Sequence, residues 1–363
     1  THLFHLFPGA DYGLCGEGEL GLLALVRVLA SSALEAESLA CIPGLIWRDG
    51  DATRLNPSHY VDDLDTLPFP AWELMPPASF PGPPFNGYSR RHPIAPMILT
   101  RGCPHLCTFC GAATVNGRRL RTRSAENILA ELRLLITRYG VREIQFYDSN
   151  CADRFGPLRA VLRQIIAEGI DITWSAPNGI RVDAVDAELV DLMRRSGCFQ
   201  VNVGIESGSP RIQRQIRKNL SLDTVRRAVG LLRGAGIEVV GFFMLGFPGE
   251  MRADIRQTLA LAMELPLTGA SFSIYCPLPG TEDYATTFRA GRPDHAVLDS
   301  FDFVSYENNL SGVPAAELRA IQRRAYVQFH LRPMVLRAFL RNLNSMEKVR
   351  LIAGHVRQKV FGL

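Results

Sequence analysis

The sequence predicts an α/β protein built on a parallel sheet, and three observations carry that reading. From about Pro96 onward, short β-rich runs alternate with amphipathic stretches at helical spacing. The runs are close to continuous in apolar residues, as strands covered on both faces are. A cluster of three cysteines, in RGCPHLCTFCG at 101–111, directly follows the first run. Right-handed crossovers allow such a chain either an open barrel or a doubly wound sheet, and in both the ligands gather at the C-terminal ends of the strands.

The elements follow in order. PMILTR, closing at Arg101, is the first strand, and SAENILAELRLLITRYG is the helix after it, with Ser124 as N-cap and Gly140 as stop. EIQFYDS (143–149) is the second strand and 158–168 the second helix. Three further pairs read ITWSAPNGI with AELVDLMRRSG, QVNVGIES with SLDTVRRAVGLLRGAG, and EVVGFFMLGF with MRADIRQTLALAMEL. SFSIYCPLPG supplies a sixth strand.

Composition narrows the classes. At 363 residues, 47% hydrophobic and 21% charged, the chain is globular and long enough for two domains. A formal charge of +4 gives no reason to expect a nucleic-acid partner. The run LGLLALVRVLA (20–30) is too short for a membrane span and carries Arg27, so it reads as an amphipathic helix whose Leu20, Leu22, Leu23, Leu25 and Val26 need cover. With no signal peptide and no dispersed cysteine framework, a cytoplasmic chain with reduced thiols is expected. The chain starts on Thr1, and the expectation is that it begins inside a longer gene product or after processing.

Cys103, Cys107 and Cys110 are spaced C-x3-C-x2-C, one thiolate short of a closed tetrahedral metal site. Three thiolates with one open position suit a 4Fe-4S cluster whose fourth iron binds a small ligand. The alternative is a zinc knuckle closed by His105 or a distant residue, which would make the chain a non-catalytic, metal-stapled interaction protein; a second separated ligand pair, usual in such sites, is missing.

With Phe109 before its last cysteine, the motif resembles the signature of the radical S-adenosylmethionine (SAM) family, over about Pro96 to Tyr284. The resemblance implies a partial (β/α)6 barrel of the TIM type. It implies a 4Fe-4S cluster on Cys103, Cys107 and Cys110, SAM chelated to the fourth iron, and a one-electron reductant such as ferredoxin or flavodoxin. On the family's pattern, Glu206 in VGIESGS is expected to contact the SAM ribose or amino group. Gly246 and Gly249 in GFPGE are expected to let backbone approach the adenine. YDSN stands where many relatives carry a Gly-Gly-Glu-like segment, so Tyr147 and Asp148 are candidates for the methionine end of SAM or for the substrate. Pro277 and Gly280, in a P-x-P-G-T turn, read as structural, and Cys151 and Cys276 as buried core.

The flanks complete the organisation. DYGLCGEGELGLLALVRVLA resembles the last strand and helix of the cobalamin-binding domain that precedes the barrel in one radical SAM class, with the hairpin IPGLIWRDGD after it. The D-x-H-x-x-G segment that supplies a cobalt ligand in many members is missing, so the cobalamin site is expected to be largely absent from this chain. The predicted division is 1–75 as the tail of such a domain, 76–95 as a proline-rich linker, 96–285 as the barrel, and 286–363 as a basic helical region. Between 312 and 363, ten Lys or Arg face two Asp or Glu. A solvated basic face or peripheral contact with an anionic membrane follows from that balance. The expected function is radical chemistry on an unactivated carbon of a small or lipophilic substrate, with cobalamin-dependent methyl transfer as the first reading and a cobalamin-independent reaction as the alternative.

Overall fold

A computed structural model of the chain describes residues 4, 7–31, 35–79, 89–152, 154–288 and 309–342. The first elements are β1 (Gly13–Leu14), α1 (Gly18–Ala30), α2 (Ala36–Ala40) and the hairpin β2 (Leu45–Asp49) and β3 (Ala52–Leu55). The three strands form one antiparallel sheet in the order β1-β2-β3. α1 rests on it through a narrow stripe. Leu25 joins Leu39, Ile42, Leu45 and Trp47 in a small core, and a Cβ on Gly21 would stand 2.6 Å from the Pro43 carbonyl oxygen. Leu20, Leu22, Leu23 and Val26 lie on the exposed side, so of the five apolar residues that need cover only Leu25 finds it among the described residues.

The barrel follows: β4 (Ile94–Met97), β5 (Thr100–Arg101), α3 (Ala112–Asn116), β6 (Arg121–Thr122), α4 (Ala125–Tyr139), β7 (Glu143–Phe146) and α5 (Leu158–Ala167). Next come β8 (Thr173–Ile180), α6 (Ala187–Arg195), β9 (Cys198–Glu206), α7 (Pro210–Gln215), α8 (Leu222–Gly234), β10 (Glu238–Leu245), α9 (Arg252–Glu264) and β11 (Gly269–Ile274). The chain continues through α10 (Glu282–Thr287), α11 (Ala315–His330) and α12 (Pro333–Asn342). Strands pair in parallel in the order β4-β7-β8-β9-β10-β11. Six neighbours in chain order with the two outer strands unpaired to each other make the open, partial (β/α)6 barrel. Of the basic helical region expected at 286–363, residues 289–308 and 343–363 lie outside the described residues.

Local chemistry sets the helices. Ser124 Oγ accepts from the Asn127 amide at 3.1 Å and Gly140, left-handed at φ 64°, stops α4. Asp186 caps α6 by accepting from the Leu189 amide at 2.8 Å. Their apolar faces meet the outer face of the sheet, where Ile144, Trp174, Val201, Val239 and Phe243 join one core with Leu132, Leu162, Leu189 and Val229. Each such side chain contributes about 1.5–3 kcal/mol on burial. The strands are not apolar on both faces as expected. Gln145, Ser175 and Gln200 stand in register across β7, β8 and β9 and are buried. They alternate with the core residues and so point to the concave side, which no helix covers among the described residues. The β11 edge is closed by α11, where Gln322 Nε2 donates to the Phe272 carbonyl at 2.6 Å and Tyr326 Oη accepts from the Phe272 amide at 3.0 Å.

A buried ion pair fastens the N-terminal unit to the barrel. Arg121 donates to Glu17 at 2.8 and 2.6 Å, to the Val61 carbonyl at 2.8 Å and to the Asn116 carbonyl at 2.7 Å. Both side chains are 3% exposed. Removing one partner strands the other charge, so Arg121→Met is expected to cost about 3–5 kcal/mol, read as a lower urea midpoint, with Glu17→Gln added to it recovering much of the loss. An unchanged midpoint in the single variant would deny the pair its role.

Candidate functional site

The cysteine loop leaves β5 at the C-terminal end of the sheet. Gly102 turns it at φ 85°, where a Cβ would stand 2.1 Å from the Arg119 carbonyl oxygen, so only glycine fits before Cys103. The loop then hangs on backbone bonds: Cys103 N to Gly117 O at 3.2 Å, Thr108 N to Ile216 O at 3.1 Å, Cys110 N to Cys107 O at 3.3 Å, and Asp283 N to Thr108 O at 3.2 Å. Phe109 packs its ring 5.8 Å from Phe247, edge to face, against a cluster of Ile212, Ile216, Met244, Phe247 and Tyr275. All three cysteines are free.

Cys103 and Cys107 are half-buried and Cys110 exposed. Burial pushes the Cys103 and Cys107 thiols above their ordinary range, while the charges of Lys218 and Arg181 pull against it. Among the described residues no three His, Cys, Asp or Glu side chains gather to ligate a single metal ion. The zinc knuckle therefore has no converged ligand set. A four-iron cluster takes each thiolate on a different iron, so the spread-out, soft donor set of this loop suits it.

The other predicted residues surround the loop unevenly. Glu206 ends β9 and is buried, and its Oε1 accepts from Lys218 Nζ at 3.0 Å. Burial disfavours the Lys218 ammonium, yet Glu206 and Cys107 outweigh it and hold its pKa above the usual lysine range. Glu206, Arg217 and Asn219 have φ of 65°, 51° and 52°, and among the described residues they are the non-glycine residues at positive φ. Such backbone costs about 1–3 kcal/mol per residue. The strain thus gathers on the two segments that carry this ion pair.

Asp148 lies behind the loop. Its Oδ1 accepts from the amides of Leu99 and Thr100 at 3.0 and 2.6 Å and from Thr100 Oγ1 at 2.8 Å. Oδ2 has no hydrogen-bond partner among the described residues, and burial pushes the carboxyl up to about 6. Its neighbour Tyr147 faces another way, donating to Gln145 Oε1 at 3.0 Å and lining a cleft of about 240 Å3 with Gly16, Glu17, Glu19, Thr100 and Arg101. That cleft separates the start of α1 from the barrel mouth.

Gly246 and Gly249 form the turn after β10. At Gly246 a Cβ would meet Leu318 of α11 at 3.0 Å, while at Gly249 nothing stands within 4 Å. The turn is closed from inside by Glu250, whose Oε2 accepts from the Gly246 and Phe247 amides at 2.6 and 3.2 Å. Burial pushes this carboxyl up to about 7. The loop, Phe109, Glu206 and Phe247 belong to one neighbourhood, with Tyr147 on the side of the cleft. Sequence reasoning missed Lys218, Arg181 and Glu250. Lys218 stands in RKNL without periodicity, and only the proximity of Glu250 to a glycine turn could have singled it out.

The radical SAM superfamily's sequence profile matches residues 97–262. An uncharacterized methyltransferase of Pyrococcus horikoshii is 30% identical over 337 residues, covering 91% of this chain and 69% of that protein. The cytidylyl-2-hydroxyethylphosphonate methyltransferase of Streptomyces wedmorensis is 27% identical over 342 residues, 85% of this chain and 62% of that protein. Among solved structures, the cobalamin-dependent SAM radical enzyme OxsB, with aqua-cobalamin and SAM bound, superposes on 99% of this chain and 57% of its own with TM-score 0.70 at 15% identity. The radical SAM methyltransferase TsrM from Kitasatospora setae covers 79% of this chain and 55% of its own with TM-score 0.62 at 20% identity. The chain belongs to the radical SAM superfamily of enzymes, and with that membership come a 4Fe-4S cluster and SAM as cofactors. It spans between about half and about two thirds of the length of these relatives. Among the described residues no helix is long and apolar enough to cross a membrane.

Glu250 gives the site a stability signature. An acid with a raised native pKa stabilises fully below its unfolded value of 4.5, and the contribution is lost as pH rises through about 7. The shift corresponds to about 3 kcal/mol. Anaerobic urea unfolding at pH 5 and pH 8 is expected to show that loss in the wild type and lack it in Glu250→Gln; equal differences in both proteins would remove Glu250 from the account.

Proposed function

We propose that the chain is the barrel-bearing part of a cobalamin-dependent radical SAM methyltransferase that acts on a small molecule. The observation that carries the reading is the three-thiolate loop at the strand ends, braced by the Glu206 and Lys218 segments and adjoined by a cleft beneath α1. With its cofactors bound, such a site supplies a 5′-deoxyadenosyl radical from one-electron cleavage of SAM and, through a corrinoid, a transferable methyl group. The names of the relatives from Pyrococcus horikoshii and Streptomyces wedmorensis support the methyl-transfer part.

The chain's own residues divide the work. Cys103, Cys107 and Cys110 hold the cluster. Glu206 holds SAM by its ribose or amino group, Phe109 walls its side, and the Gly246 to Gly249 turn offers backbone to the adenine. Asp148 keeps one oxygen on the Leu99 and Thr100 amides, fixing the strand that launches the loop, and its free oxygen is the candidate acceptor for the methionine amine. Tyr147 stands between the concave face of the barrel and the cleft. The electron comes from a one-electron reductant of the ferredoxin or flavodoxin kind.

The cleft is small for a corrinoid. Ligand pockets usually run to about 300–1,000 Å3, and 240 Å3 admits only one edge of so large a ring. Among the described residues nothing covers the exposed leucine face of α1. The 363-residue chain is therefore expected to bind SAM and to cleave it reductively after anaerobic reconstitution, with Cys107→Ala losing both the iron and the cleavage. Titration with hydroxocobalamin is expected to give no tight stoichiometric binding, whereas a chain extended by an α/β layer over that face binds it. Tight uptake by the present chain would place the corrinoid elsewhere, and full SAM cleavage by Cys107→Ala would overturn the cluster assignment.

A further inference from the structure

Lys218 and Arg181 have no part in the functions assigned above, yet the fold goes to some length to bury them beside the cysteine loop. The Lys218 side chain is 11% exposed and its Glu206 partner 10%. The ammonium lies directly over Gly204 of β9, where a Cβ would stand 2.8 Å from Nζ and 2.7 Å from Glu206 Oε1. The Lys218 carbonyl accepts from Arg181 Nη2 at 3.3 Å, and the Arg181 guanidinium is otherwise held by Asp183, at 2.7 Å from Nη2.

The same segment is fastened to the loop. Ile216, two residues before Lys218, accepts from the amide of Thr108, the residue that follows Cys107. Arg217 makes two bonds to Glu282, at 2.8 and 2.7 Å, and the next residue, Asp283, donates to the Thr108 carbonyl. Lys218 thus cannot drift from the cysteines without breaking the loop's own anchors. The backbone is left-handed on both sides of it and at Glu206, a conformation that side-chain-bearing residues rarely adopt.

We propose that Lys218 and Arg181 are positioning charges that raise the reduction potential of the iron-sulfur cluster held by Cys103, Cys107 and Cys110, with Glu206 moderating Lys218. This rests on the cluster assignment. A cluster on three thiolates is anionic, and the incoming electron adds a further negative charge, so a buried cation nearby favours the reduced form.

Potentiometric titration of the reconstituted full chain without SAM, followed by the electron paramagnetic resonance signal of the reduced cluster, tests this. Lys218→Met and Arg181→Gln are each expected to lower the midpoint, cutting the ratio of reduced to oxidised cluster at the wild-type midpoint about tenfold. Glu206→Gln is expected to raise it, and Lys218→Arg to restore the wild-type value. A merely structural role predicts no such opposition of sign. Midpoints that stay at the wild-type value in Lys218→Met and Arg181→Gln, or that move the same way in all three charge-removing variants, overturn the proposal. If Lys218→Met holds no iron, the opposed signs of Arg181→Gln and Glu206→Gln decide it alone. A wild-type chain that forms no four-iron cluster sinks the cluster assignment, and this proposal with it, and is told apart by iron content.

Discussion

The three cysteines stand on an irregular loop that has neither helix nor sheet to hold it. Its rigidity comes from four backbone bonds that reach four different partners: the end of α3, the end of α7, the start of α10, and its own turn. Each partner is in turn fixed by the barrel. Ile212 and Ile216 sit in the cluster that receives Phe109, and Asp148 grips the backbone of Leu99 and Thr100 just before the loop begins. The shape of the loop thus depends on a set of main-chain hydrogen bonds to segments far apart in the chain.

The barrel's openness has its own consequences. Because helices among the described residues cover the outer face alone, the strands divide into an apolar side and a polar, concave side. That division explains why polar groups such as Gln145, Ser175 and Gln200 are carried deep in the sheet with unpaired atoms, and why the strained Glu206 can project at the mouth. Ion pairs hold the N-terminal unit to this mouth, Arg121 with Glu17 and Arg101 with Glu19 at 2.5 Å. The cleft is what remains between the two.

Much of the fold was legible in the sequence because it is written locally. Ser124 and Gly140 bound α4, and the strand-helix alternation gave the class, while the order of the sheet followed from the family resemblance. The cysteine spacing singled out the loop by itself. Other features depend on pairs of residues far apart in the chain. PMILTR reads as one strand, yet Asp148, 49 positions after Leu99, takes the Leu99 and Thr100 amides and divides it into β4 and β5. Glu206 could be read from its motif, but its partner Lys218 sits in a short linker after α7, a helix of six residues that is too brief to show periodicity. Tyr147 and Asp148 are adjacent in sequence and diverge in space, which no pattern of residue types reveals.

Held by three protein thiolates, a four-iron cluster would have one iron left open to SAM. Mössbauer spectroscopy of the reconstituted, 57Fe-labelled chain measures this most directly. One iron of four is expected to change its isomer shift when SAM is added, with the other three unmoved. Four irons that ignore SAM, or an iron content well short of four per chain in protein that has kept its fold, would contradict the account.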